Sequence, residues 1–291
     1  MMEYGVKTLT RIGYLGPKGT FTKLAVDTAF NNEEKISYTT IPECIDAVAN
    51  DEIEIAVVPI ENAIEGTVQL TVDYLIHQVP LPVMGEIVVP IQQHLLVRPD
   101  FTGELSDITE VHSHSHAIAQ CHQYIHKNLN SALIQYVSST GRAAEIVADT
   151  IEPIAAIGNS VAAKEYGLRI IENNVHDFPN NHTRFIVLSK NRELLKINHP
   201  VQLEKTSLKI TLPSDQSGAL HQILSAFSWR KMNLSKIESR PTKTGLGNYF
   251  FIIDVNQAYD DALFPGVKGE LEALGCEVSI LGTYPVYHMD I

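Results

Sequence analysis

The feature that most limits how this chain can fold is a unit that recurs through its first two thirds. A short apolar strand runs into a few small polar residues and then into a helix whose apolar residues return every three or four positions. "RIGYLG" leads through "PKGT" into "FTKLAVDTAF", where Phe21, Leu24, Ala25 and Ala29 share a face. "IEIAVVPI" leads through "ENAIEGT" into "VQLTVDYLI", and "SALIQYV" through "SSTG" into "RAAEIVADT". "PIAAIG" leads into "NSVAAKEYG", in which Gly167 suits a helix C-cap. Alternating strands and helices predict a largely parallel sheet. Such sheets bind ligands at the carboxyl ends of their strands, where helix N-termini present free N–H groups. The polar turns therefore mark the expected site. Between the second and third units, "PLPVMGEIVVPIQQHLLVRPD" reads as a crossover between two lobes, which predicts a two-lobed α/β domain with a cleft.

After "RFIVLSK" the stretch "NRELLKINHPVQLEKT" is charged and aperiodic, as expected of a linker. Strand "SLKITLP", helix "GALHQILSAFSWRKM", strands "NLSKIESRPT" and "NYFFIIDVN", helix "ALFPGVKGELEALG" and strand "EVSILGTYPV" then follow. That order, βαββαβ, is the ferredoxin-like arrangement, an antiparallel sheet covered on one face by two helices. The expected division is residues 8–190, a linker at 191–205, and 206–291.

At 291 residues the chain exceeds the usual size of one domain, which agrees with two cores. Its 34 acidic against 22 basic side chains, a net charge of −12, argue against nucleic acid, whose phosphates require clustered Lys and Arg. The three cysteines, Cys44, Cys121 and Cys276, are far apart and form no CxxC pair, as suits a reducing compartment. The start lacks the apolar stretch of a signal peptide. No run approaches the roughly 18 apolar residues of a membrane span. A soluble, cytoplasmic protein is expected.

Five motifs carry candidate chemistry. The loop "GPKGT" places glycines and Thr20 at a helix start, either as an anion cradle of backbone N–H groups or as a tight turn; the P-loop spacing is absent. In "VPIENAIEGTV" a strand ends at Glu61 and Asn62, which either orient a substrate hydroxyl or serve as surface residue and helix cap. In "HSHSHAIAQCHQYIH", His112, His114 and His116 would share one strand face, and His122 and His126 one helix face. No second ligand cluster stands at a zinc spacing, so no metal is expected. Ser138, Ser139 and Thr140 sit where they both cap a helix and donate to a carboxylate. "NNHTRF" brings together the Asn181 amide, the Thr183 hydroxyl, the planar fork of Arg184 and the ring of Phe185.

Together, "GYLGPKGTFT", "VPIENAIEGTV", "SHSHAIAQC", "STGRAA", "AAIGNSVAAKEYGL" and "NNHTRF" resemble the prephenate dehydratase family, in its order and over nearly the whole chain. The family usually has Ser at the place of Ala63 and Pro-Gln at the places of Ser115 and His116. The resemblance implies a periplasmic-binding-protein-like catalytic domain and a C-terminal ACT regulatory domain, the latter carrying "GAL" and "ESRP". The first motif begins so early that no room is left for the chorismate mutase domain fused to some relatives, and a monofunctional chain is expected.

The resemblance implies decarboxylating dehydration of prephenate to phenylpyruvate, with no metal, flavin or pyridoxal. It assigns Thr183 as the group on the acid side, with Asn181 and Glu61 as candidate orienters. Thr20, Asn62, Ser139, Thr140, Arg184 and Phe185 are then candidates for holding the substrate. It further implies that L-phenylalanine binds at a subunit interface of a homodimer or homotetramer, near Gly218, Ala219, Leu220, Glu238, Ser239, Arg240 and Pro241. An arogenate dehydratase and a non-catalytic ligand sensor are the competing expectations.

Overall fold

The computed structural model describes residues 9–214, 216–243 and 248–289; residue 8 and residues 290–291, at the ends of the expected domains, lie outside these. The first lobe opens with β1 (Arg11–Leu15), α1 (Phe21–Ala29), β2 (Glu34–Tyr38), α2 (Ile41–Ala49), β3 (Ile55–Asn62), β4 (Gly66–Thr67), α3 (Gln69–His77) and β5 (Val83–Pro90). Helices α1 and α2 begin where side chains satisfy the first free amides, whereas α3 has no side-chain cap. Thr20 accepts from the Lys23 N–H, and Thr40 forms a capping box with Glu43. The apolar run of β3 is continuous because both of its faces are covered.

The chain then crosses to a second lobe, built from β6 (His94–Val97), β7 (Glu110–Ser113), α4 (Ser115–Gln120), α5 (His122–Asn128), β8 (Leu133–Tyr136), α6 (Thr140–Asp149), β9 (Ile154–Gly158), α7 (Ser160–Glu165) and β10 (Arg169–Glu172). Its sheet runs β10-β6-β9-β7-β8. Gly167, just past α7, has φ 63°, the left-handed conformation that a helix-ending glycine supplies. The chain returns through β11 (His182–Leu188), which inserts antiparallel between β3 and β5. The parallel sheet expected from the repeated unit is present in β1, β2 and β3 and in β7, β8 and β9, and is interrupted where this returning strand enters.

The C-terminal unit is β12 (Leu203–Thr211), α8 (Ala219–Ser228), β13 (Leu234–Pro241), β14 (Tyr249–Val255), α9 (Leu263–Ala273) and β15 (Glu277–His288). Its sheet order β13-β14-β12-β15 is antiparallel throughout, and Ile223, Phe227, Phe264, Val267 and Leu271 of the two helices pack on Leu208, Ile210, Phe251 and Ile253. The fold is thus a two-lobed α/β unit followed by a ferredoxin-like one. Cys44, Cys121 and Cys276 are buried and free, and no helix among the described residues is long and apolar enough to cross a membrane.

The two units are not separate sheets. The end of β15 pairs in parallel with β5, Val286 opposite Glu86 and His288 opposite Val88, so one ten-stranded sheet runs from β13 to β2. The expected linker ends sooner than the sequence suggests. Residues 203–205 already belong to β12, and Lys205 is buried with its Nζ 2.8 Å and 3.0 Å from the Glu86 carboxylate oxygens. A charged residue there reads as linker, yet its charge is what fastens the strand.

Where β15 crosses β5, Gly282 lies so close to Val83 that any Cβ would overlap the Val83 carbonyl. Gly282→Val is therefore expected to destabilise this junction by about 1–3 kcal/mol. The thermal midpoint should fall by roughly 2–4 °C for each kcal/mol lost. An unchanged midpoint by calorimetry would contradict this seating of the strand.

Candidate active site

A cleft of about 840 Å³ separates the lobes. Its floor comes from strand ends and its walls from the first turns of helices. Thr20 and Phe21 open α1, Ser139 and Thr140 open α6, and His114 and His116 lie at the start of α4; all line the cleft. Ser139 takes the Arg142 N–H at 3.0 Å and Thr20 the Lys23 N–H at 3.3 Å, while the earlier amides of each helix have no partner within the helix. These termini carry partial positive charge and suit an anion. Ser139 is thus the cap of α6, Thr140 is its first residue, and both line the cleft.

The "GPKGT" loop, with its cis Gly16–Pro17 peptide, is clasped by the second lobe. Asn159 Nδ2 donates to the Gly19 carbonyl at 3.1 Å, and the Tyr166 hydroxyl to the Lys18 carbonyl at 3.3 Å. Gly141 packs against that same Lys18 carbonyl, where a Cβ would not fit. Thr20 uses its own hydroxyl proton locally, on the Pro17 and Leu15 carbonyls.

At the floor, Asn62 Nδ2 donates to Thr183 Oγ1 at 2.8 Å. The orientation of that amide is set by its other end, because Asn62 Oδ1 accepts from the Ile64 and Glu65 N–H groups at 3.0 Å and 3.1 Å. The contact uses Thr183 Oγ1 as acceptor, which leaves its O–H to donate into the cleft. Thr183 is 8% exposed, so a donor there is nearly stripped of competing water.

The immediate neighbours point elsewhere. Thr183 pairs with Asn62 across β11 and β3, and Arg184 pairs with Glu61, and successive strand residues face opposite sides of a sheet. Arg184 is therefore not the expected substrate fork, nor Glu61 the expected orienter. Arg184 bonds Glu61, spans both Glu86 oxygens at 3.0 Å and 2.7 Å, and reaches Asp254 Oδ2 at 2.6 Å. Lys236 also holds Glu61, at 3.1 Å. Burial opposes charge on Arg184, but Glu86 and Asp254 outweigh it and raise the guanidinium pKa.

Phe185, expected as a cleft wall, is 1% exposed in the core with Ile12, Tyr14 and Val187. It shares the alternation of Thr183 but lies one layer deeper in the sheet. Asn181, expected beside the reacting hydroxyl, is buried behind the cleft with its Nδ2 3.2 Å from Gln120 Oε1. The histidines do not share a strand face either. β7 ends at Ser113, His114 caps α4 by accepting from the His116 N–H at 3.3 Å, and His116 faces Glu65 across the cleft at 3.6 Å. Burial, then the neighbouring His116, lowers the His114 pKa, which favours its neutral form. Among the described residues no group of three or more His, Cys, Asp or Glu is placed to hold a metal ion. Sequence reasoning missed Gln93, Gln120 and Thr67, which line the cleft from a crossover, a helix end and β4; Gln120 and Thr67 lie within quoted motifs, but neither is a residue type that the motif's expected chemistry singled out.

In the C-terminal unit Gly218 has φ 86° and is exposed at the start of α8, with Ala219 buried and Leu220 40% exposed. In "ESRP", Glu238 accepts from Thr67 Oγ1 at 2.7 Å, and Arg240 holds Asp73 at 2.5 Å. These two side chains are thus engaged with the first lobe of their own chain, while Ser239 and Pro241 are exposed on β13, the terminal strand of the sheet.

A model of the prephenate dehydratase family matches residues 12–193. The prephenate dehydratase of Bacillus subtilis (strain 168) is 52% identical over 284 residues, 96% of this chain and 100% of that one. Among solved structures, the prephenate dehydratase of Arthrobacter aurescens in complex with L-Phe superposes with a TM-score of 0.82 at 34% identity, covering 94% of this chain and 90% of that one. That of Staphylococcus aureus subsp. aureus Mu50 gives 0.80 at 34% identity, covering 94% and 100%.

The ion pairs behind the cleft carry a pH dependence. Burial raises the pKa of Asp254, Glu238 and Asp73, but the cations and hydroxyls around them outweigh it and leave all three lowered. Their stabilisation is thus complete above the unfolded values, about 3.9 for Asp and 4.3 for Glu, and is lost as pH falls through the folded ones. Urea midpoints are expected to decline once the pH drops below about 4. A midpoint constant down to pH 3 would contradict the ion-pair assignment.

Proposed function

The chain belongs to the prephenate dehydratase family and has that activity, and on this footing we propose that the Asn62–Thr183 pair performs its dehydration step. Prephenate takes up one proton overall and gives phenylpyruvate, CO2 and water. The ring carboxylate leaves as CO2, and its bonding electrons move into the ring as the C–O bond to the ring hydroxyl breaks. Aromatisation drives the change, so the protein has mainly to assist the departing oxygen. A threonine is too weak an acid to release its proton outright. Its O–H, aimed at the leaving oxygen, stabilises the negative charge developing there. The 2.8 Å contact carries this reading, because a hydroxyl that already accepts from Asn62 is a better donor and has one direction left to donate.

The two substrate carboxylates are held by local donors, since the protein as a whole carries a charge of −12. The free backbone N–H groups in the first turns of α1 and α6, with the Ser139 and Thr140 hydroxyls, supply them, while Thr20 shapes the start of α1. Asn181 acts from behind the wall by orienting Gln120.

We also propose that L-phenylalanine binds the ACT unit, over residues 206–291, and feeds back on the rate. Support comes from the L-Phe complex of the Arthrobacter aurescens relative and from the exposed left-handed Gly218, which lets an amino acid approach the start of α8. Glu238 and Arg240 would transmit the binding to Thr67 and Asp73, while Ser239 and Pro241 on the edge strand face a second copy in a cytoplasmic homodimer or homotetramer.

Thr183→Ala is expected to lower kcat on the order of 10²-fold or more with little effect on folding, the usual loss for one transition-state donor. Thr183→Ser should keep most of the rate. Phenylpyruvate formation, with and without L-phenylalanine, is the assay. Near-normal turnover in folded Thr183→Ala would remove Thr183 from the chemistry, and turnover of arogenate in place of prephenate would reassign the substrate.

A further inference from the structure

Two cross-strand pairs lie side by side on β3 and β11. Asn62 with Thr183 faces the cleft, and Glu61 with Arg184 faces the C-terminal unit. The register with β3 shifts immediately after Arg184, so on that side the pairing of this end of β11 is irregular, while the ladder with β5 runs unbroken from His182 to Val187. This end is further tied by a cluster of three cations and three carboxylates: Arg184, Lys205 and Lys236 with Glu61, Glu86 and Asp254.

The cluster is divided between the two units. Arg184, Glu61 and Glu86 come from β11, β3 and β5, whereas Lys205, Lys236 and Asp254 come from β12, β13 and β14. Asp254 is held in turn by the Ser207 hydroxyl at 2.6 Å. Without the C-terminal half, Arg184 would keep two carboxylates with an uncompensated charge. Lys236 makes a second connection, donating to Thr67 Oγ1 at 2.8 Å, on a residue that lines the cleft.

Resting on the assignment of Asn62 and Thr183 to the reaction, we propose that Arg184 is a positioning residue, through which the seating of the C-terminal unit sets the alignment of the Asn62–Thr183 pair. It does not touch substrate. Its Nε and both terminal nitrogens are engaged by carboxylates on the face of the sheet away from the cleft. When β13 and β14 are seated, Lys236 and Asp254 hold Glu61 and Arg184 in place, and each is joined by a single peptide bond to a member of the reacting pair. A shift of β13 and β14 changes where Glu61 and Arg184 sit, and so changes the aim of the Thr183 O–H. The 2.8 Å hydrogen bond is short enough for a small displacement to matter.

The test is steady-state turnover of prephenate by the full chain carrying Asp254→Asn, Lys236→Met, Arg184→Lys or Arg184→Met, with thermal midpoints as the folding control. Asp254→Asn and Lys236→Met lie outside the cleft floor and are expected to lower kcat about 2- to 30-fold, the range for residues along a coupling network, with KM little changed. Arg184→Lys should fall between wild type and Arg184→Met, because an ammonium restores the charge but not the fork. Wild-type kcat in both folded Asp254→Asn and Lys236→Met would overturn the proposal. So would a raised KM with unchanged kcat in Arg184→Lys, which would make Arg184 a substrate ligand. Should Arg184→Met fail to fold, the Asp254 and Lys236 variants decide. Thr183→Ala run alongside separates the two ideas: if it retains turnover, the assignment of the reacting pair fails, whatever the cluster variants do.

Discussion

A half-buried guanidinium between two structural units organises much of this molecule. Taking an ion out of water costs several kcal/mol, and only close, well-bonded counter-ions offset it. Arg184 meets that condition through Glu61, Glu86 and Asp254, which reach it from β3, β5 and β14. No single unit supplies the whole set, so the cluster exists only when the ferredoxin-like unit is docked on the first lobe. The backbone reinforces the same junction, since β15 completes a sheet that passes through both units. The Asn62–Thr183 pair and the contacts to the ferredoxin-like unit thereby lie on opposite faces of two neighbouring strands.

The cleft solves a different electrostatic problem. A dianionic substrate must enter a protein of charge −12, and long-range attraction does not help it. The donors are local instead: the first turns of three helices converge on the cleft, each with amides that its own helix leaves unpaired. The lobes meet over the "GPKGT" loop, where Asn159 and Tyr166 bind its carbonyls and Gly141 admits close approach. This clasp sets the spacing of the α1 and α6 termini.

Thr20, Ser139 and Thr140 were legible as cleft residues because a helix start demands a capping side chain, and in alternating α/β units such starts gather at one end of the sheet. Arg184, Glu61 and Phe185 were not. Adjacent residues of a strand point to opposite faces, so "ENA" and "TRF" could each send only one of two neighbours into the cleft. Which one depends on how β11 lies between β3 and β5, and no local pattern encodes that insertion of a strand returning from the other lobe. Phe185 shares the alternation of Thr183, yet depth in the sheet, rather than direction, places it in the core. His114 and His116 fall outside the strand because β7 ends at Ser113, where the chain already turns into a helix, whereas His122 and His126 do share a face of α5.

Local chemistry written into the chain determined where strands, caps and turns fall, that the order βαββαβ closes the C-terminal unit, and that a hydroxyl lies beside a guanidinium in "NNHTRF". Those outcomes depend on interactions within a few residues, or on apolar periodicity that holds in any surroundings. The tertiary structure alone decided that Thr183 answers to Asn62 while Arg184 answers to Asp254 and Glu86, and that Lys205 belongs to a strand rather than a linker. These depend on which strands become neighbours, and buried charges find their partners only when residues distant in the chain arrive together.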